Sequence, residues 1–234
     1  MNTAEVRTPV SQREAEHLTC TLDELIGRAR TLAASGNRRI LGITGAPGAG
    51  KSTVAQAIAD ALDGQAARVG MDAFHLANGV LAARGSTDRK GAPDTFDPWG
   101  FANLLRRLKT NGEPVVYAPM FDRSLEESIG CAIPVAREVP LVITEGNYLL
   151  LDAEGWRESR AQIDEVWFLN LSDDERQLRL LRRHEAFGKP PAEAEAWVLG
   201  SDQRNAAVVS ATRERADLII DLSYSDSRET FTKA

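Results

Sequence analysis

The chain has 234 residues, with 28 lysines and arginines against 34 aspartates and glutamates, a net charge of -6, 43% hydrophobic and 26% charged residues. That balance excludes disordered, collagenous and coiled-coil chains, and the acidic excess argues against a nucleic-acid partner, whose binding needs neutralised phosphates. A chain this long buries roughly 70–75% of its unfolded surface and needs no staple. Cys20 and Cys131 lie far apart, and His17, His75 and His184 hold no metal-ligand spacing to them, so reduced thiols in a cytoplasmic protein are expected. No apolar run reaches the ~18 residues of a membrane span, and the charged first twenty residues lack a signal-peptide core, so no membrane partner is expected. Monomer and homodimer both stay open.

In chain order, residues 1–18 are polar and aperiodic and read as a mobile arm. Thr21 and Glu24 form a capping-box pattern ahead of Leu22, Leu25, Ile26, Ala29 and Leu32 at helical spacing, and Ser35, Gly36 and Asn37 end that helix. Ile40, Leu41 and Ile43 predict a buried strand, followed by a glycine-rich turn and an alanine-rich helix to about Leu62. Val69 closes a second strand. A long polar loop is expected from Asp72 to Asp97, then a helix opened by Asp97 and Pro98 with Phe101, Leu104, Leu105 and Leu108 on its buried face. Further strands are expected at Val115 to Tyr117, Leu141 to Thr144, Val166 to Leu171 and Leu218 to Ile220, with helices over Asp173 to Ala186 and Ala192 to Ala216. The alternation predicts one α/β domain over 19–222 with a mostly parallel sheet, and a polar tail over 223–234. Trp99, Trp156, Trp167 and Trp197 read as packing residues.

Gly45, Ala46, Pro47, Gly48, Ala49, Gly50, Lys51 and Ser52 match glycine, four residues, glycine, lysine, serine or threonine, the phosphate-cradling P-loop. Its glycines bring backbone N–H groups around a phosphate chain, Lys51 reaches the outer phosphates, Ser52 offers a hydroxyl to Mg²⁺, and the helix from Thr53 onward aims its N-terminal dipole at the anion. An apolar strand before the loop and an amphipathic helix after it supply the context the motif requires. There is no Asn-Lys-x-Asp segment to read guanine and no Leu-Ser-Gly-Gly-Gln of transport ATPases. Phosphoryl transfer from ATP to a small acceptor therefore stands beside a silent nucleotide-binding regulator.

Met71, Asp72, Ala73, Phe74 and His75 follow the second strand, where an aspartate can take a hydroxyl proton during phosphoryl transfer. This segment, the P-loop, Arg89 to Asp97, Tyr117 to Asp122 and Thr144 to Leu150 occur in that order. Together they resemble the phosphoribulokinase, uridine kinase and bacterial pantothenate kinase family of P-loop kinases, over most of the chain from about Arg39 to Asp221. The resemblance extends to a subgroup described as nucleoside-kinase-like or fructose-transport-associated kinases. It implies a P-loop NTPase fold, a mostly parallel five-stranded sheet with helices on both faces, ATP and Mg²⁺ as cofactors, and Asp72 as base for the acceptor hydroxyl. It also implies an acceptor site drawn from Asp72, His75, Lys90, Phe121, Arg123, Glu145 and Asn147, with Ser52 and Glu145 at the metal. The chain departs from uridine kinases at Ala73 and His75 and from pantothenate kinases near Arg123. A sugar or polyol is thus the first expectation, beside nucleoside and pantothenate-like acceptors.

Arg176, Arg179 and Arg183 share one helical face and run into a break at Gly188, Pro190 and Pro191. This resembles the small lid of nucleoside and nucleotide kinases and predicts a lid over about 176–200 that brings Arg179 and Arg183 to the phosphates. His184 is expected to serve the helix C-terminus. Asp202 and Asn205 share a face of the next helix with no role assigned.

Overall fold

A computed structural model describes residues 14–223. Along the chain, β1 (Glu16–Cys20) leads into α1 (Leu22–Ala33), β2 (Arg39–Thr44) into α2 (Lys51–Ala61), and β3 (Ala66–Gly70) into a 3₁₀ turn at Met71–Phe74 and the short α3 (Asn78–Ala83). After α4 (Pro98–Thr110) come β4 (Val115–Asp122) and β5 (Glu127–Ala136). The remainder is β6 (Leu141–Glu145), α5 (Trp156–Arg160), β7 (Glu165–Asn170), α6 (Asp173–Ala186), α7 (Pro191–Trp197), α8 (Gln203–Ser210) and β8 (Leu218–Leu222).

Six strands form one sheet in the order β1-β8-β7-β2-β6-β3, every neighbouring pair parallel. Parallel strands need both faces covered, and the side chains divide with period two. Ile40, Val142, Val166, Phe168 and Ile219 face α4 and the hairpin of β4 and β5. Leu41, Ile43, Leu141, Ile143, Trp167, Leu169, Leu218 and Ile220 face α1 and α2. Both expected helix starts are present: Thr21 and Glu24 close a reciprocal capping box, and Asp97 accepts from the Gly100 N–H ahead of Pro98.

The sheet has six strands where five were expected, because part of the supposed mobile arm is the sixth. Glu16–Cys20 pairs with β8, Leu18 opposite Ile220, and buries Cys20. As a short edge strand with only Leu18 and Cys20 packed on the core and Glu16, His17 and Thr19 exposed, it is too short for an apolar period to be read. Residues 1–13 and the tail beyond Ser223 lie outside the described residues. The strand expected at Val115 to Tyr117 runs on to Asp122 and pairs antiparallel with β5 as a separate hairpin. Only one of its faces is covered: Val116 and Ala118 are buried, Tyr117 and Met120 exposed. The expected Asp72 to Asp97 loop folds into short helical turns stitched to one another, with Leu76 donating to Thr95 O and Asp97 to Phe74 O. The helix expected over Ala192 to Ala216 is broken by a π turn at Val198–Asp202 and ends in a 3₁₀ turn at Arg213–Arg215. Trp156 and Trp167 are buried as expected, whereas Trp99 lies exposed on α4.

Candidate active site

Strand register assembles the site. Glu145, the last residue of β6, sits opposite Ile43 of β2 and Gly70 of β3, so the P-loop, the carboxylate and the Asp72 turn emerge side by side at the carboxyl edge. The P-loop then bends through Gly48 at φ +84°, where a Cβ would stand 2.7 Å from the Arg176 carbonyl oxygen, so only glycine fits beneath α6. Ser52 and Thr53 lie exposed in the first turn of α2, at the positive end of its dipole.

Lys51 is buried rather than exposed on a loop, and its Nζ donates to Gly45 O at 2.9 Å and Ala46 O at 3.1 Å. Burial lowers its pKa to about 8, against the opposing pull of Glu145 and Asp72, with Arg183 and Arg123 lowering it further. Four predicted residues from separate parts of the chain therefore lie within electrostatic reach of this ammonium. Glu145 is also buried, with its carboxyl raised above the usual range first by desolvation and then by Asp72, while Lys51, Arg68 and a hydrogen bond from Ser52 oppose this. A buried carboxylate facing an exposed hydroxyl at a helix N-terminus is a donor set suited to a hard cation such as Mg²⁺.

Beyond the P-loop, Asp72 Oδ2 accepts from Arg123 Nη2 at 3.0 Å, a pair formed across 51 positions between the 3₁₀ turn and the hairpin tip. His75 stacks between Phe96 and Phe121, with centroids at 4.0 and 5.0 Å, and its Nδ1 lies 2.7 Å from Asp72 O. Burial lowers the His75 pKa, which favours the neutral ring in that sandwich. Lys90 Nζ donates to Asn78 Oδ1 at 2.8 Å and to the Glu126 carbonyl, and stands 5.3 Å over the Phe121 ring. Asn147 is held through its backbone, where its carbonyl accepts from Thr44 Oγ1 at 3.2 Å beside the P-loop. Asp72, His75, Lys90, Phe121 and Arg123 thus form one wall.

Along the arginine face of α6, Arg176 is buried, Arg179 half-buried and Arg183 exposed, and Leu178 on the other side is exposed as well. Arg176, however, is no mobile lid donor. It is fully buried, donating to Pro47 O at 3.4 Å, to Asp173 and to Gln203, and so anchors α6 to the P-loop and to α8. The Arg179 Nη1 lies 3.5 Å from where a Cβ on Gly50 would stand, next to the cradle. His184 pairs with Asp202 at 2.8 Å instead of serving the helix end alone. Sequence reasoning gave no role to Tyr148 or Asn205, which both donate to the Gly91 carbonyl. Tyr148 lies within a quoted segment, but nothing local indicates that its hydroxyl points to residue 91.

The model of a family described as methylmalonyl Co-A mutase-associated GTPase MeaB matches residues 3–80, the first third of the chain, which contains the P-loop. The ATP-dependent kinase-like protein notR′ of Aspergillus versicolor is 35% identical over 58% of this chain and 84% of its own. The "putative uridine kinase C227.14" of Schizosaccharomyces pombe is 31% identical over 74% of this chain and 78% of its own. The chain belongs to the uridine kinase and pantothenate kinase family of P-loop kinases. A solved structure named "putative fructose transport system kinase", from Silicibacter sp. TM1040, is 38% identical, covers 85% of this chain and 98% of its own, and superposes with a TM-score of 0.76. As a member of this family, the protein is an ATP-dependent phosphotransferase that acts on an alcohol group of a small molecule. No helix among the described residues is long and apolar enough to cross a membrane.

Proposed function

We propose that the protein transfers the terminal phosphoryl group of ATP to a hydroxyl of a sugar, polyol, nucleoside or pantothenate-like metabolite bound against Asp72, His75, Lys90, Phe121 and Arg123. The observation that carries this reading is the position of Asp72. Its carboxylate lies within the field of Lys51 and Glu145 on one side and is bonded to Arg123 of the hairpin on the other. Arg123 holds Oδ2, and Oδ1 takes the proton of the acceptor hydroxyl as the freed oxygen bonds to phosphorus and the bond to the ADP oxygen breaks.

Gly45 to Thr53 hold the phosphates, and Lys51 moves from the carbonyls of its own loop to the outer phosphates. Ser52 and Glu145 would hold Mg²⁺, which neutralises charge on the phosphate oxygens when bound. Arg179 and Arg183 add charge from the lid.

The test is ATP consumption measured with a panel of sugars, polyols, nucleosides and pantothenate, repeated with Asp72→Asn. Acceptor-stimulated turnover that collapses in the variant is the expected result. Consumption that no acceptor stimulates would return the chain to a nucleotide-binding regulator.

A further inference from the structure

Asp202 and Asn205 have no part in the chemistry above, yet both are buried at 8% exposure, on the π turn and on α8 that follow the expected lid. Asp202 is engaged by His184 of α6, and the neighbouring Gln203 by Arg176 and Gln177 of the same helix. Gln203 Nε2 also donates to Asp173 at 3.2 Å. The start of α8 is therefore fastened to the start of α6, and through Arg176 and Pro47 both form one body with the P-loop, while Val209 farther along α8 packs in the main core.

Asn205 leaves that body. Its Nδ2 donates to the carbonyl of Gly91 at 3.3 Å, across 114 positions, and the same oxygen accepts from the Tyr148 hydroxyl at 2.6 Å. A carbonyl can only accept, so the amide nitrogen must face it. Tyr148 is 1% exposed and belongs to the loop after the central strand β6. Gly91 presents its carbonyl at φ +98°, a conformation that side chains rarely adopt. It directly follows Lys90, and its own N–H donates to the buried Thr95 Oγ1 at 3.0 Å. The orientation of the 91 carbonyl thus sets where Lys90 and the 89–97 loop stand against Phe121 and the hairpin.

We infer that Asn205 is a positioning residue that makes the acceptor loop respond to the nucleotide: through Gln203 and Arg176 it ties the Gly91 carbonyl, and with it Lys90, to the P-loop that ATP occupies. Tyr148 holds the same oxygen from the loop after β6. This rests on the reading of the P-loop given above. Asparagine suits the task because aspartate, of the same shape, would present only acceptors to a carbonyl.

Hydrogen exchange of the full chain, with and without Mg²⁺ and a non-hydrolysable ATP analogue, tests it in wild type, Asn205→Ala, Asn205→Asp and Tyr148→Phe. In wild type the analogue should slow exchange in both 45–53 and 87–97. Both Asn205 variants should keep the slowing at 45–53 and lose about two-thirds or more of that at 87–97. Tyr148→Phe should raise exchange at 87–97 several-fold without analogue and keep the analogue-induced factor, a split that a merely structural role for Asn205 does not produce. The isosteric aspartate guards against a folding defect in the alanine variant. Slowing at 87–97 that survives in both Asn205 variants, or wild-type slowing confined to 45–53, overturns this inference alone. Absence of slowing in both segments of wild type removes the nucleotide reading and this inference together.

Discussion

The phosphate cradle and the acceptor wall lie side by side but are held by different means. The cradle is one continuous stretch, Gly45 to Thr53, whose shape follows from local backbone freedom and a helix start, with α6 packed so closely on Gly48 that a methyl group has no room. The wall comes from a 3₁₀ turn, a loop and a hairpin, joined by Asp72 to Arg123, His75 between two phenylalanines, and Lys90 to the hairpin tip. Contacts of that kind can be exchanged one at a time without disturbing the sheet, whereas the cradle cannot change without losing phosphate. On the proposed function, the cradle sets the class of reaction and the wall sets the acceptor.

The largest expected effect breaks the cradle side. Lys51→Ala should bring turnover to background while thermal unfolding stays at or above the wild-type midpoint, because the alanine removes a buried cation that burial disfavours. Substantial remaining turnover would detach Lys51 from the phosphates. On the wall side, Asp72→Asn should lower the transfer rate by roughly 10²–10⁴ with nucleotide affinity kept, measured by separate binding and rate assays. Loss of nucleotide binding as well would move Asp72 into the cradle and blur the comparison.

The lid can be divided in the same way. Arg179→Ala and Arg183→Ala should each cost about 2.7–4 kcal/mol in the transfer step at saturating ATP, with unfolding unchanged. Arg176→Ala should instead lower stability by about 1–3 kcal/mol, since it leaves the buried Pro47 carbonyl without its side-chain donor and Gln203 with one donor of two. Equal effects of all three on rate alone would contradict the division into anchor and donors.

The smallest effect is in pH. Lys51 in the free protein titrates near 8 instead of its ordinary 10.5, and bound phosphates favour its charged form. ATP binding should therefore take up about half a proton near pH 8, seen by calorimetry in buffers of different ionisation enthalpy, and affinity should fall as pH rises through 8. For stability the sign is opposite. Between about 8 and 10.5 the unfolded chain holds more protons at this position, so the contribution of Lys51 to stability rises with pH across that window.

What the sequence by itself determined was whatever depends on neighbours a few positions away. The P-loop, the capping box at Thr21, the start of α4 at Asp97 and the period-two strands are local arrangements of backbone geometry and apolar spacing, and each is present. Tertiary structure alone decided that Glu16–Cys20 completes the sheet, because an edge strand with only Leu18 and Cys20 covered is too short to show a pattern of its own. It also separated Arg176 from Arg179 and Arg183, which the helical period places on one face, by burying the first against Pro47 and Gln203. The pairing of Asp72 with Arg123 and the joining of Tyr148 and Asn205 at one carbonyl span 51, 57 and 114 positions. Partners at such separations are chosen by the register of parallel strands and the packing of α6 and α8 on the loop, and no local spacing in the chain encodes either.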